Sequence, residues 1–160
     1  MNNMRANSIV YRFVPMGTVA PDPVPANDIW LDVGSRAAPR VLDHHGGDTE
    51  HWSASELVVK EYENLILGAL DDVRAVTLVL HENPDLDAVC AAWFVKRILA
   101  DGGPPQPASA VETIVEAVSA NDQGIVSTDA PERCWPVVMR TLISVEYVNL
   151  SDEEKVQESI

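Results

Sequence analysis

"VTLVLHENPDLDAVCAAWFV", residues 76–95, carries the reading that decides the fold. An apolar, β-branched run ends at His81, and a second apolar run begins at Ala88. "AVTLVL" (75–80) is continuous rather than alternating, the pattern of a strand covered on both faces. Pro84 allows a loop or a first helical turn. "DAVCAAWFVKRILA" (87–100) predicts a helix apolar over most of its surface, and therefore central. One imidazole and two carboxylates, His81, Asp85 and Asp87, stand at that strand-to-helix junction.

The same pattern recurs upstream. "DIWLDVG" (28–34) and "APRVLDHHGG" (38–47) are continuous apolar runs, each stopped by glycine, and both predict buried strands. "SIVYRFV" (8–14) is β-branched and aromatic enough for another strand, and "MGTVAPDPVPAND" (16–28) is a Pro-rich loop. Ser53 and Glu56 form a capping box, and Val58, Tyr62, Leu65, Ile66 and Ala69 continue at helical spacing to about residue 70. After "DGGPPQP" (101–107), Val111, Ile114, Val115 and Val118 mark a helix that ends near "SANDQG" (119–124). Residues 130–148 read as helical from about Pro136 onward, and Ser151 with Glu154 forms a second capping box. Strands alternate with helices, which predicts an α/β fold: three layers around a mainly parallel, doubly wound, Rossmann-like sheet. Residues 1–150 are expected to form the domain, with 151–160 a tail or the start of a helix leading to a further segment.

The chain has 160 residues, 46% hydrophobic and 22% charged, enough for one buried core. No apolar run approaches the roughly 20 residues that span a bilayer, so no membrane partner is expected. Two cysteines, Cys90 and Cys134, provide no disulfide framework, and a reducing cytoplasm is the expected compartment. The net charge is -14 with only 11 Lys and Arg, which argues against long nucleic acid as a partner. No basic groove with interleaved aromatics is found, and Trp30, Trp52, Trp93 and Trp135 read as core or rim packing. Anionic substrates remain compatible if bound cations invert the local field.

Asp32 follows one predicted strand, Asp43 and His44 the next, and His81 the third. The carboxyl ends of parallel strands form the ligand crevice of open α/β sheets, so these motifs should converge. A single Asp in such a place is usually a turn residue or a cap. Adjacent histidines after an apolar strand have little packing purpose, and three of the four histidines, His44, His45 and His81, lie in these motifs. Clustered carboxylates repel and hold protons unless cations sit among them. Carboxylate and imidazole without thiolate favour Mn²⁺ or a similar divalent ion over structural zinc.

"DHHGG" followed by "SASELVVKEY" resembles the DHH phosphoesterases, and "HENPDLDAV" is similar to another motif of that family in its manganese-dependent class II inorganic pyrophosphatase form. "DIWLDVG" resembles the motif with a lone bridging aspartate, and "SANDQG" the motif whose aspartate completes the site. The likeness spans roughly residues 28 to 125. It implies two Mn²⁺ ions, with Mg²⁺ or Co²⁺ as substitutes. His81 and Asp85 would bind one ion, Asp87, His44 and Asp122 the other, and Asp32 would bridge them. Asp43 would orient a histidine, and His45 would face the substrate phosphate. In an extended chain His44 and His45 should point in opposite directions. The implied reaction is cleavage of a small phosphoanhydride or phosphodiester by a water that bridges the two ions.

Two departures from the family stand out. The "HENPDLD"-type motif comes first in the family and third here, a circularly permuted order. Nothing matches the C-terminal domain that many relatives carry, so a homo-oligomer or an additional C-terminal domain is the expected means of closing the site. The competing reading is a non-catalytic module of the same fold that binds metal or senses a nucleotide.

Overall fold

The computed structural model describes residues 8–47, 49–70, 75–125 and 150–159. Five strands make one sheet: β1 (Ser8–Val14), β2 (Asp28–Leu31), β3 (Ala37–Ala38), β4 (Val41–Leu42) and β5 (Ala75–His81). Their spatial order is β1-β5-β2-β4-β3. β1, β5, β2 and β4 run parallel, and β3 lies antiparallel to β4 at the edge. The helices are α1 (Ala54–Leu65), α2 (Leu86–Asp101), α3 (Ala108–Asp122) and α4 (Asp152–Ser159). The mainly parallel, Rossmann-like α/β fold expected from the strand and helix alternation is the one observed.

Strand residues divide between the two faces with a period of two. Ile29, Leu31, Leu42, Leu78 and Leu80 form one core with Leu57 and Val58 of α1, Phe94, Val95 and Ile98 of α2, and Val115 of α3. Trp30, Val41 and Val79 point the other way and pack with Ala20, Val24 and Val33. Among the described residues, the helices gather on the first face, and the 15–27 stretch supplies the layer on the second. Prolines at 15, 21, 23 and 25 have no N–H to give to a ladder, so this stretch covers the sheet without forming a strand of it, touching its backbone at an isolated Val19–Gly34 bridge and at its last residue, Asn27. Arg36 donates to the carbonyls of Ala20 and Pro21, and Arg40 to those of Val24 and Pro25.

The helix termini are set by local chemistry. Ser53 caps α1 by accepting from the Glu56 N–H at 3.0 Å, and the Glu56 carboxylate reaches back to the Trp52 N–H at 2.8 Å. Asp85 caps α2 by accepting from the Ala88 N–H at 3.0 Å. α2 ends at Gly102, whose φ of +78° suits the left-handed cap. Ser151 and Glu154 form the reciprocal box that opens α4, with bonds of 2.8 and 3.3 Å.

One element departs from expectation. The run 38–47 is not a single strand: Ala37–Ala38 turns back on Val41–Leu42 through Pro39 and Arg40, whose φ is +64°. Proline lacks the ladder donor, and a left-handed residue reverses the chain. The helix expected within 130–148 lies outside the described residues.

Candidate metal centre

β2, β4 and β5 are parallel, so their carboxyl ends share one edge of the sheet. Asp32 follows β2, Asp43 and His44 follow β4, and His81 ends β5. Asp85 caps α2, Asp87 lies in its first turn, and Asp122 is the last residue of α3.

Asp32 occupies the middle of the group. Its Oδ2 lies 3.3 Å from His81 Nε2, and its Oδ1 lies 3.4 Å from His44 Nε2. Its backbone takes a left-handed φ of +57°, which Asp tolerates better than most residues, and its N–H donates to the Leu42 carbonyl at 3.1 Å. This fixes the side chain between two histidines that come from different strands.

On one side, His81 Nε2 is also 3.9 Å from Asp85 Oδ1. His81 Nδ1 lies 2.9 Å from the Glu82 carbonyl, so Nδ1 carries a proton and donates there. That bond turns Nε2 toward the two carboxylates, as is usual for ligating histidines. On the other side, His44 Nε2 lies 3.3 Å from Asp122 Oδ2 and 3.8 Å from Asp87 Oδ2. Two donors on one octahedral ion, each at roughly 2.1 Å, are separated by about 3–4 Å, and these distances fall in that range. Three overlapping groups are able to hold a cation: Asp32, His81 and Asp85; His44, Asp87 and Asp122; and Asp32, His44 and His45. Asp32 Oδ1 and His44 Nε2 are buried without a hydrogen-bond partner among the described residues. Buried polar atoms are rarely left so, and a cation between them would satisfy both.

Asp87 has a further task. Its Oδ2 accepts from the Ala54 N–H at 2.6 Å and its Oδ1 from the Ser55 N–H at 2.9 Å. It therefore sits on the first turn of α1, where the free amides and the helix dipole favour a negative charge. Asp43 is not grouped with the ligand candidates. Its Oδ2 accepts from the Ser35 N–H at 2.6 Å, and its Oδ1 accepts from the His45 N–H and lies 2.6 Å from His45 Nδ1.

His44 and His45 do not diverge as expected. Their rings are 4.1 Å apart, and His45 Nδ1 comes within 3.7 Å of Asp32 Oδ1. The strand ends at Leu42 and the chain turns through residues 44–47, so the alternation of an extended chain no longer applies. Gly46 permits the turn: a Cβ there would meet the Ser35 carbonyl carbon at 2.8 Å and its oxygen closer still.

Charge is concentrated here. Burial alone would strip His81 of its proton, but Asp32 and Asp85 outweigh it and bring the pKa up to about 10. Asp43 holds the His45 proton most strongly, raising its pKa to about 9. Burial, reinforced by the Asp32 charge, pushes the Asp87 carboxyl well above the usual range. Burial and the neighbouring carboxylates likewise raise Asp122, although His44 opposes them. Without a cation, this cluster retains protons to limit its own repulsion.

Several supporting residues were not foreseen as part of the site. Ser53 was legible only as a cap, yet its hydroxyl also bonds that of Ser119 at 2.7 Å. Ser55 donates from its hydroxyl to the Asp87 carbonyl at 3.1 Å. The small-residue start of α1, "SAS", was the available signal, since only small side chains let two backbones approach so closely. The fourth histidine, His51, stands apart between Glu56 and Glu61. Among the described residues, no helix is long and apolar enough to cross a membrane.

No protein-family model, curated protein or solved structure matches the chain.

Proposed function

We propose that this chain is a phosphohydrolase of the DHH phosphoesterase kind, holding two Mn²⁺ ions and cleaving a small phosphoanhydride or phosphodiester. The observation that supports this most is the position of Asp32, with one oxygen toward His81 and the other toward His44. A carboxylate so placed would serve two cations if they were bound, with His81 and Asp85 on one side and His44, Asp87 and Asp122 on the other. Mg²⁺ or Co²⁺ could take the same oxygen and nitrogen donors. Bound there, two divalent ions would screen phosphate charge and acidify the attacking water.

The remaining chemistry falls to His45. Asp43 fixes its Nδ1, leaving Nε2 as the available ring nitrogen on a side chain that is 52% exposed. With Nδ1 held by Asp43, the ring can present an Nε2 N–H to a phosphate oxygen or a leaving group. Losing one such donor commonly costs about 10²–10³ in rate. His45→Ala should therefore keep Mn²⁺-dependent thermal stabilisation and lose most hydrolysis, whereas His44→Ala should lose both. The assay uses pyrophosphate, a short dinucleotide and a cyclic dinucleotide with Mn²⁺. A His45→Ala variant that loses metal together with activity would show that this histidine is a ligand.

A second reading, a non-catalytic module that binds metal or a nucleotide, draws on a different observation. Every described arginine already binds a protein oxygen: Arg12 to Asp28, Arg36 and Arg40 to loop carbonyls, Arg97 to Asp101. Among the described residues, no arginine is without such a partner. Wild-type protein that binds Mn²⁺ yet is inert on all three substrates would establish this reading over the first.

A further inference from the structure

The two ligand groups around Asp32 are supported differently. His81 and Asp85 belong to one continuous segment, the junction of β5 and α2. His44, Asp87 and Asp122 come from three separate elements: the turn after β4, the start of α2 and the end of α3. Their spacing depends on whatever joins those elements. The junction is the first turn of α1. Asp87 is attached to it through the Ala54 and Ser55 N–H groups and the Ser55 hydroxyl. Among the described residues, α3 is attached to it through the Ser53–Ser119 hydroxyl pair at 2.7 Å.

Both of those serines are buried, Ser53 at 0% and Ser119 at 8% exposure. Capping α1 requires only the Ser53 hydroxyl, which accepts from Glu56, so the cap does not explain Ser119. The rest of the α3 inner face is apolar, with Val111, Val115 and Val118 buried. Ser119 lies one turn before Asp122, and its carbonyl accepts from both the backbone and the side-chain N–H of Gln123 at 3.1 and 3.0 Å. The hydroxyl pair thus ties the last turn of α3, where Asp122 sits, to the turn that holds Asp87.

We propose that Ser119, acting with Ser53, is a positioning residue that sets the distance between Asp122 and Asp87 and so fixes the ion site they share with His44. This rests on the two-ion reading above. Groups that orient metal ligands typically account for about 10–100-fold in metal affinity. The effect should be selective, because His81 and Asp85 do not depend on α3.

Equilibrium dialysis of wild type, Ser119→Ala and Val111→Ala over a range of free Mn²⁺ tests the proposal. Val111→Ala is the control: it weakens the same helix roughly three turns from Asp122. Wild type should take up two ions per chain. Ser119→Ala should bind the first as wild type does and the second about 10–100-fold more weakly. Val111→Ala should lower the melting temperature but leave both affinities unchanged. Ser119→Thr, which keeps the hydroxyl, should restore the second affinity, and it carries the test if Ser119→Ala does not fold. Unchanged binding of both ions by Ser119→Ala, or equal weakening by Val111→Ala, would overturn the positioning role and leave the two-ion reading standing. Wild type that binds no Mn²⁺ would overturn both.

Discussion

His81 lies between Asp32 and Asp85, and in the metal-free protein that position belongs to a proton. Burial opposes the charge, the two carboxylates restore it, and the pKa settles near 10. The folded-state value lies above the ordinary 6.5, so the stabilisation from this proton is complete below about pH 6.5 and is lost as pH rises toward 10. A cation must displace the same proton from Nε2. Mn²⁺ affinity should therefore increase with pH, by about tenfold per unit for each proton released, up to about pH 10. Titration calorimetry under argon between pH 7 and 9 should show a slope of about one or more in log affinity. A flat profile would contradict His81 as a ligand. Of these residue-level features, the identities were legible and the environments were not. "HENPDLD" displays an imidazole and carboxylates, but the Glu82 carbonyl that turns His81 is a backbone contact invisible to side-chain patterns. The resemblance carried by "DHH" implied that Asp43 orients a histidine, as it does His45, but nothing there reveals that Ser35 occupies its other oxygen.

Strands and helices place the site, and the turn after β4 is the element on which most depends. Gly46 lies against the Ser35 backbone, where a Cβ has no room and no flexible side chain can move aside. Gly46→Ala should force the turn to shift, destabilising the protein by about 2 kcal/mol and displacing His44 and His45 together. A thermal melt in the presence and absence of Mn²⁺ would show it: the variant should melt lower and gain less from the metal than wild type. A variant with the full Mn²⁺ gain would mean that this turn does not set the ligands. Strands β2 and β5 were readable from continuous apolar runs, β1 from β-branched and aromatic content, and the capped helices from a Ser–Glu box and a terminal glycine, because each expresses one local preference. The β3–β4 hairpin was not readable. Two-residue strands are too short to show a period, and Arg40 gives no sign of its left-handed backbone.

At the scale of the whole molecule, parallel strands bring to one edge groups that are scattered from Asp32 to Asp122. The convergence of Asp32, His44 and His81 could be anticipated from the order of elements, because each follows a strand and parallel strands end on the same side, whereas Asp122 ends α3 and was indicated only by the family resemblance. The absence of described helices from the second face could not be anticipated, since a buried strand looks the same whether a helix or a Pro-rich loop covers it. Asp32, with its two oxygens turned to opposite histidines, is the feature around which the proposed function is built. The direct test is a crystal structure grown with Mn²⁺ and measured at the manganese absorption edge. Two anomalous peaks are expected, roughly 3.5–4 Å apart and flanking Asp32, one beside His81 and Asp85 and the other beside His44 and Asp122. A single peak, or none within reach of Asp32, would contradict the dinuclear centre.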